Sequence, residues 1–401
     1  MVYHEDMDNL TLKVGREKLS RTHHPWIYSG ALAAQAHLPH PGSLVKVLDS
    51  QGHFVAWGHY NPASKLAVRL LSWMEDQVPD ETWLRNKIKE ITQLRGPLPL
   101  GTNAQRLIFG EADGLPGLIL DQFGQVGVLQ ILTLGMEKIA EQLGQWLLEE
   151  IPGLNWIWEK SEGDGRSLEG LKDRSGILAS RKGDTPPLPV EIQENGHRFL
   201  VDLGQQKTGF YTDQRENRAM LARYAYGRSF LDAFSYTGAF SVYALAAGAT
   251  SAVLLDSSKE ALEQAKLNLK LNSQKPRELI VGDAFEELRT LKKSGVKFDL
   301  ISLDPPKLVK SREHLTKGLR AYKDLNLLGI QLLSPGGVMA TFSCSGLVGF
   351  EEFRTMVSYA AKDAGISVQI LAPLWQSPCH PVLTSYPEGS YLKGLLIRRL
   401  L

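Results

Sequence analysis

Short apolar runs followed by acidic or small residues recur through the second half of the chain. The runs cover residues 229–234, 251–255, 278–281 and 298–303, and a helix of small residues is expected at 239–248. Apolar runs of this length that alternate with helical segments are typical of buried parallel strands. The pattern therefore predicts a doubly wound α/β sheet, a fold that binds ligands at the carboxyl ends of its strands.

The beginning of the chain instead alternates apolar and polar positions, as strands with one buried face do. Candidate strands cover residues 43–48, 54–57 and 66–71, with turns at Pro41-Gly42 and at residues 50–52. This region is expected to form a small β-barrel.

The middle of the chain predicts a small mixed α/β module. Candidate helices and strands cover residues 81–94, 118–121, 126–132, 137–150 and 156–160. Residues 182–189 are rich in proline and predict a linker, and residues 190–201 predict a hairpin. We accordingly place three domains, at residues 1–75, 76–188 and 189–401.

Four acids lie at or near the ends of the four predicted parallel strands, namely Asp232, Asp256, Asp283 and Asp304. Asp256 stands where such folds place an acid that accepts hydrogen bonds from ribose hydroxyls. Regular placement of acids at one edge of a sheet indicates a binding site for an adenosine-containing ligand.

The turn after the first strand distinguishes between such ligands. A pyrophosphate cradle needs several glycines, and only Gly238 is present. Phe234, Tyr236 and Thr237 are too bulky for that cradle but suit a ligand without phosphate, such as S-adenosylmethionine (SAM). Tight packing of a helix on a strand would explain Gly238 equally well, but not the four acids.

Asp304-Pro305-Pro306 follows the fourth strand. Two prolines fix φ and remove two backbone donors, which holds the loop open so that its carbonyl oxygens can contact a base. Asp followed by Pro is also an ordinary start of a turn. The functional interpretation of this motif therefore depends on its position directly after a predicted strand.

Cys344, in TFSCSG at residues 341–346, is the candidate nucleophile. A thiolate that adds to carbon 6 of a pyrimidine makes carbon 5 able to attack a methyl donor, while Asp304 holds or protonates the ring nitrogen. The plainer alternative is a buried thiol that acts as a small apolar side chain. Cys379, beside His380, ranks second because its proline-bounded segment is not tied to the other motifs.

Several long motifs together resemble the ribosomal RNA large-subunit methyltransferase I family. They are GREKLSRTHHPWIYSGAL, AWGHYNPASKLAVRLL, RLIFGEADGLPGLILDQFG, VDLGQQKTGFYTDQRENR, FLDAFSYTGAFSVYALAAGA, LDPPK, GLRAYKDLNLL, FSCSG and HPVLTSYPEGSYLKG. The resemblance implies an N-terminal PUA domain and SAM-dependent formation of 5-methylcytosine in 23S ribosomal RNA. It also implies Cys344 as nucleophile, Asp304 at the base, and Asp232, Asp256 and Asp283 around the donor.

This sequence differs from related enzymes in two motifs. Related sequences often read CSCS where this chain has Phe342-Ser343-Cys344-Ser345. The other major group of RNA 5-methylcytosine enzymes has Pro-Cys where this chain has Pro306-Lys307, so a second cysteine cannot release the product there.

The net charge of +1 hides two basic segments, 207–228 and 301–323, that flank these motifs. We expect them to contact RNA phosphates, although solvated helix faces are the commoner explanation. The residues predicted to bind RNA are Lys207, Tyr211, Arg215, Lys307, Lys310, Arg312, Arg320 and Lys323. The residues predicted to bind SAM are Asp232, Phe234, Tyr236, Gly238, Asp256, Ser257, Asp283, Ala284, Asp304 and Pro305.

The composition of the chain indicates its cellular location. The chain has 401 residues, 43% of them hydrophobic and 22% charged, with two cysteines and no apolar run near 18 residues. A cytoplasmic protein with no membrane segment is expected. Histidines cluster in the first 75 residues without a zinc spacing, so no metal is expected, and a homodimer is left open.

Two other functions stay open from the sequence. A SAM enzyme of this fold could methylate another atom or base of ribosomal RNA, with Cys344 as packing only. A non-catalytic RNA-binding assembly factor would keep the pocket without the chemistry.

Overall fold

The computed structural model describes residues 8–16, 22–204 and 209–401. The chain divides into two compact units. Unit 1 comprises Met1–Ile192, Val201–Gly209 and Cys379–Gly389, and unit 2 comprises Gln193–Leu200, Phe210–Pro378 and Ser390–Leu401. The three-domain boundaries expected from the sequence stay a prediction.

The strands are β1 (Asn9–Thr11), β2 (Trp26–Ile27), β3 (Leu44–Leu48), β4 (Phe54–Tyr60), β5 (Val68–Ser72), β6 (Ala104–Phe109), β7 (Leu118–Phe123), β8 (Val126–Ile131), β9 (Trp156–Ser161), β10 (Arg174–Ser180), β11 (Val190–Glu194), β12 (His197–Val201), β13 (Ser229–Ala233), β14 (Ser251–Asp256), β15 (Glu278–Val281), β16 (Phe298–Leu303), β17 (Leu333–Ser343), β18 (Val368–Trp375) and β19 (Lys393–Arg399). The helices are α1 (Glu81–Arg95), α2 (Leu134–Glu137), α3 (Ala140–Glu150), α4 (Asp164–Leu168), α5 (Arg215–Ala222), α6 (Ala239–Ala246), α7 (Lys259–Leu271), α8 (Ala284–Lys293), α9 (Leu315–Leu332) and α10 (Phe350–Ala364).

The N-terminal sheet of unit 1 has the strand order β1-β3-β4-β5-β2. Strands β3, β4 and β5 confirm the three predicted strands and pair antiparallel, whereas β1 runs parallel to β3. The inward side chains, among them Val45, Val47 and Val68, are fully buried, as the alternating pattern predicts.

The second sheet of unit 1 has the order β10-β9-β8-β7-β6. It confirms the three strands predicted for the middle of the chain, and β6 and β10 add to them. The helix predicted at 137–150 was wrong in extent: α2 ends at Glu137 and α3 begins at Ala140, because Ile139 leaves helical geometry at φ −115°. Helix α1 begins where Asp80 accepts a hydrogen bond from the Trp83 backbone N–H, as a helix N-cap does.

Strands β11 and β12 form the predicted hairpin where the chain passes from unit 1 to unit 2. Its turn, Asn195-Gly196, has φ values of 50° and 83°. Asn and Gly tolerate this left-handed region better than other residues, so this dipeptide favours a two-residue hairpin turn.

Unit 2 contains a seven-stranded sheet with the order β15-β14-β13-β16-β17-β19-β18. The first five strands in that order are parallel, and β19 runs antiparallel to both β17 and β18. Apolar side chains such as Leu231, Ile301 and Met339 form a fully buried core. The predicted doubly wound α/β fold is confirmed, and the carboxyl ends of its parallel strands share one edge. In the part of the chain that the structure describes, no helix is long and apolar enough to cross a membrane.

Candidate active site

The two strands that precede the candidate acid and thiol are neighbours in the sheet of unit 2. β16 and β17 pair in parallel, with Leu303 opposite Thr341, so Asp304 and Cys344 follow adjacent strand ends. The Cys344 Sγ lies 3.8 Å from the Pro305 carbonyl oxygen. The predicted placement of an acid and a thiol at the ends of two strands of one sheet is confirmed, and the two loops meet.

A chain of buried amides holds Asp304. The Gln214 Nε2 donates to the Asp304 Oδ2 over 3.0 Å, and the Asn217 Nδ2 donates to the Gln214 Oε1 over 2.6 Å and to the Trp375 carbonyl oxygen over 2.9 Å. Because Asn217 takes the Gln214 oxygen, the Gln214 N–H group must face Asp304. Gln214 and Asn217 lie within the TDQREN segment quoted above, but the sequence did not single them out.

Ser345, directly after the thiol, ties together the loops that follow β16 and β17. Its hydroxyl accepts a hydrogen bond from the Val309 backbone N–H over 3.1 Å and lies 2.9 Å from the Tyr322 hydroxyl of α9. Ser345 and Tyr322 are both fully buried. These contacts fix the backbone on the C-terminal side of Cys344, whose own side chain is half-buried.

The loop between β13 and α6 has an unusual backbone. Phe234 and Tyr236 have φ values of 62° and 48°, and Gly238 has a φ of 76°. The predicted strand at 229–234 ends one residue early because Phe234 takes this left-handed conformation. Non-glycine residues hold such angles at a cost of about 1–3 kcal/mol and cluster at binding sites.

The Asp256 carboxylate binds this loop. Its Oδ2 accepts from the Tyr236 backbone N–H over 2.8 Å, and its Oδ1 accepts from the Ser258 backbone N–H over 2.9 Å. Each carboxylate oxygen can accept a further hydrogen bond, so the group remains able to bind ribose hydroxyls. Ser257 is exposed beside it.

Asp283 and Ala284 lie at the end of β15. The Asp283 Oδ1 accepts from the backbone N–H groups of Phe285 and Glu286, which caps helix α8. Asp283 is exposed and Ala284 is buried. The sheet order places this strand at the edge of the sheet, next to β14 and Asp256.

Asp232 differs from the other three acids because it is buried within the fold. Its Oδ2 accepts hydrogen bonds from the backbone N–H and hydroxyl of Ser241 on α6, over 3.1 and 2.7 Å. Burial raises the pKa of Asp232 to about 8, and the charges of Asp304 and Asp256 act in the same direction. The contact with Ser241 gives Asp232 a local role in anchoring α6.

Tyr211 forms an aromatic pair with Tyr236 of the loop between β13 and α6. The ring centroids of Tyr211 and Tyr236 are 5.3 Å apart at an interplanar angle of 71°. Burial, followed by the charges of Asp213, Asp304 and Cys344, raises the pKa of Tyr211. Tyr211 therefore lies near both candidate catalytic groups and remains a neutral hydrogen-bonding group at neutral pH.

The predicted RNA-binding residues fall into distinct groups. Lys307, Lys310, Arg312 and Arg320 are exposed near the loop after β16. Lys323 of α9 is half-buried and forms an ion pair with Asp363. Lys207 lies outside the described residues.

Arg215, which the sequence predicts to bind RNA, is buried in the structure. Arg215 is 4% exposed, and its Nε donates to the Glu216 carboxylate over 3.4 Å. Arg218 of the same segment is also buried and forms an ion pair with Glu194. Arg215 and Arg218 are thus both buried, and the role of Arg215 in RNA binding stays a prediction.

The second-ranked cysteine lies in unit 1. The Cys379 Sγ is 3.3 Å from the His380 Nδ1, and Cys379 is 4% exposed. This thiol is packed in the interior, whereas Cys344 is half-buried at a strand end. Within residues 8–16, 22–204 and 209–401, no group of three or more His, Cys, Asp or Glu side chains could hold a metal ion.

Comparison with known families defines the class. A PUA-like domain family matches residues 10–73, and the S-adenosylmethionine-dependent methyltransferase family matches residues 152–383, more than half of the 401 residues. Together with the sheet of unit 2, these matches define a SAM-dependent methyltransferase that carries a PUA-like domain.

Curated relatives define the family more narrowly. Proteins named ribosomal RNA large subunit methyltransferase I from Pseudoalteromonas atlantica and Erwinia tasmaniensis are 42% and 41% identical to the chain. The alignments cover 98% and 97% of this chain and 99% and 98% of those proteins. The chain belongs to the ribosomal RNA large subunit methyltransferase I family.

Solved structures share the fold at low sequence identity. A candidate SAM-dependent methyltransferase from Streptococcus mutans matches with a TM-score of 0.83 at 21% identity. The match covers 98% of this chain and 100% of that one. A SAM-dependent methyltransferase from Agrobacterium tumefaciens matches with a TM-score of 0.52 at 20% identity, covering 75% of this chain and 90% of that one.

Proposed function

We propose that this enzyme methylates carbon 5 of a cytosine in 23S ribosomal RNA through a covalent adduct with Cys344. The observation that carries the proposal is the meeting of a half-buried thiol and an aspartate at adjacent strand ends, with the Cys344 Sγ 3.8 Å from the Pro305 carbonyl oxygen. The names of the relatives supply the large-subunit RNA as substrate. Such a substrate is modified in the cytoplasm of bacteria.

The order of bond changes follows from pyrimidine chemistry. The Cys344 thiolate forms a bond to carbon 6, and the carbon 5–carbon 6 π electrons move toward the ring nitrogen, where Asp304 supplies a proton. Carbon 5 then forms a bond to the methyl carbon, and the donor would keep the electron pair of its broken sulfur–methyl bond as a neutral thioether. Loss of the carbon 5 proton restores the double bond and expels the thiolate, and the ring nitrogen returns its proton.

The loop between β13 and α6, which we propose to contact the methyl donor, fits SAM. SAM supplies an electrophilic methyl group and has no phosphate, so an acid such as Asp256 can face its ribose without repelling it. Phe234 and Tyr236 add apolar surface in the strained loop, and Asp283 and Ala284 extend the same edge of the sheet. Ser257 and Pro305 complete the residues that we propose to hold the donor.

The exposed basic residues after β16 are proposed to hold the RNA. Lys307, Lys310, Arg312 and Arg320 are exposed and follow the Asp304 loop, so they can bind the phosphates that flank a target base. A base within a duplex is out of reach of a strand-end thiol, so the target cytosine must be unstacked. Tyr211, close to Asp304 and Cys344, is proposed to contact that unstacked base.

Replacing Asp256 with alanine is expected to weaken SAM binding about tenfold to a hundredfold, because two ribose hydroxyls lose a charged acceptor and the Tyr236 backbone loses its partner. Isothermal titration calorimetry measures this directly. Glu260→Ala is the matched control, since Glu260 is an exposed acid of the next helix that bonds Ser258. Equal SAM affinity in Asp256→Ala and wild type would show that this carboxylate does not bind the donor.

Ribosomal RNA transcribed with 5-fluorocytidine tests the proposed chemistry. Fluorine cannot leave carbon 5 as a proton does, so the adduct cannot break down after methyl transfer. With SAM present, the protein and the RNA are expected to stay joined in denaturing gels. The absence of a SAM-dependent complex, with methyl transfer to ordinary RNA intact, would exclude the covalent pathway.

A further inference from the structure

Lys393 is a buried lysine that lies beside the candidate nucleophile. It is 3% exposed and begins strand β19. In the antiparallel pairing of β17 with β19, Lys393 stands opposite Ser343, the residue directly before Cys344. The fold therefore brings an ammonium group from the end of the chain to the strand end that carries the thiol.

The Lys393 ammonium binds the turn that follows Cys344. Its Nζ donates to the carbonyl oxygens of Ser345 and Val348, each over 2.8 Å. Both acceptors are neutral, so these bonds leave the positive charge uncompensated. A buried lysine is costly unless its charge serves a partner, and the thiol of Cys344 is the ionisable group next to this turn.

Titratable groups from several elements surround Cys344 and Lys393. Tyr211 and Tyr322 face Cys344 from the segment before α5 and from α9, and burial raises the pKa of both hydroxyls. Burial lowers the pKa of Lys393 to about 8, Cys344 and Glu352 oppose this effect, and Lys307 adds to it. Asp304 follows the neighbouring strand β16. A negative charge there disfavours the thiolate, whereas the positive charge of Lys393 favours it. Lys393 is thus a buried cation held at the turn that directly follows the thiol.

We propose that Lys393 is a positioning residue for Cys344, which fixes the turn through two carbonyl oxygens and supplies the positive charge that favours the thiolate. This inference rests on the proposed nucleophilic role of Cys344. A cation beside a thiol lowers the thiol pKa, so the reactive anion forms closer to neutral pH. Loss of that cation raises the thiol pKa.

The pH dependence of Cys344 alkylation by iodoacetamide tests the inference, with labelling of the Cys344 peptide followed by mass spectrometry. Lys393→Met is expected to raise the midpoint by about one pH unit, which is about tenfold slower labelling at neutral pH. Lys393→Gln keeps N–H donors for the carbonyl oxygens and is expected to raise the midpoint by a similar amount. This second variant keeps the test valid if Lys393→Met fails to fold. Lys393→Arg keeps the charge and is expected to restore a low midpoint.

Ser345→Ala separates charge from structure. It removes the bonds to Val309 and Tyr322 but leaves Lys393 in place, so the alkylation midpoint should stay near that of wild type. An unchanged midpoint in folded Lys393→Met and Lys393→Gln would overturn the inference, and so would an equal shift in Ser345→Ala. Because alkylation does not require methyl transfer, this test can fail or succeed independently of the cytosine chemistry.

Discussion

Cys344→Ala is expected to lower methyl transfer to ribosomal RNA about a thousandfold or more, because without a nucleophile at carbon 6 the cytosine carbon 5 cannot attack the methyl donor. SAM affinity should stay near that of wild type, since the proposed ribose ligand is Asp256 on another strand. Single-turnover methyl transfer and calorimetry measure the two quantities separately. The substitution removes one sulfur from a half-buried site, so the melting temperature should change little.

Cys379→Ser is the matched control for this variant. Cys379 is the other cysteine of the chain, it is packed against His380, and it belongs to unit 1. Methyl transfer is expected to survive this change. Full activity in Cys344→Ala or Cys344→Ser would contradict the account and would favour methylation of another atom without an adduct.

The second large effect is expected from Asp304→Asn, which should slow methyl transfer about a hundredfold to ten-thousandfold, the range typical of a lost general acid. Gln214 donates to the Asp304 Oδ2, so an asparagine must turn its oxygen toward Gln214 and its NH₂ group toward the ring. That group cannot deliver a proton to the ring nitrogen. Single-turnover rates at saturating SAM isolate this effect from any loss of donor binding.

Asp324→Asn provides the control for charge removal. Asp324 lies on α9 and forms an ion pair with Arg289 at the surface, so its loss should leave the methyl-transfer rate near that of wild type. A rate for Asp304→Asn within about threefold of wild type would show that no proton passes through this carboxylate.

The sheet of unit 2 was predictable because its strands are buried on both faces and appear in the sequence as continuous apolar runs. Strands β15 and β16 have the predicted bounds, and β14 differs by the single residue Asp256. Strand β10 was missed because its sequence, RSGILAS, mixes polar and apolar positions without a clear period. Burial in that case depends on neighbours that are distant in the sequence.

The site was partly predictable for the same reason. Strand ends can be located from the chain alone, so Asp304 and Cys344 were placed correctly at the ends of two strands of one sheet, whereas the structure was needed to show that these strands are neighbours. The burial of Arg215 was not predicted, because a basic segment does not reveal which of its side chains pack inward. Gln214 and Lys393 were missed because they reach the acid and the thiol turn from 90 and 48 positions away in the sequence.

Release of tritium from ribosomal RNA labelled at carbon 5 of cytosine tests the central claim most directly. The purified protein is incubated with SAM and the labelled RNA, and tritium in water is compared with methyl groups transferred. We expect one tritium released for each methyl group transferred, and no release by Cys344→Ala. Methyl transfer without tritium release would contradict the account and would assign the reaction to an atom other than carbon 5.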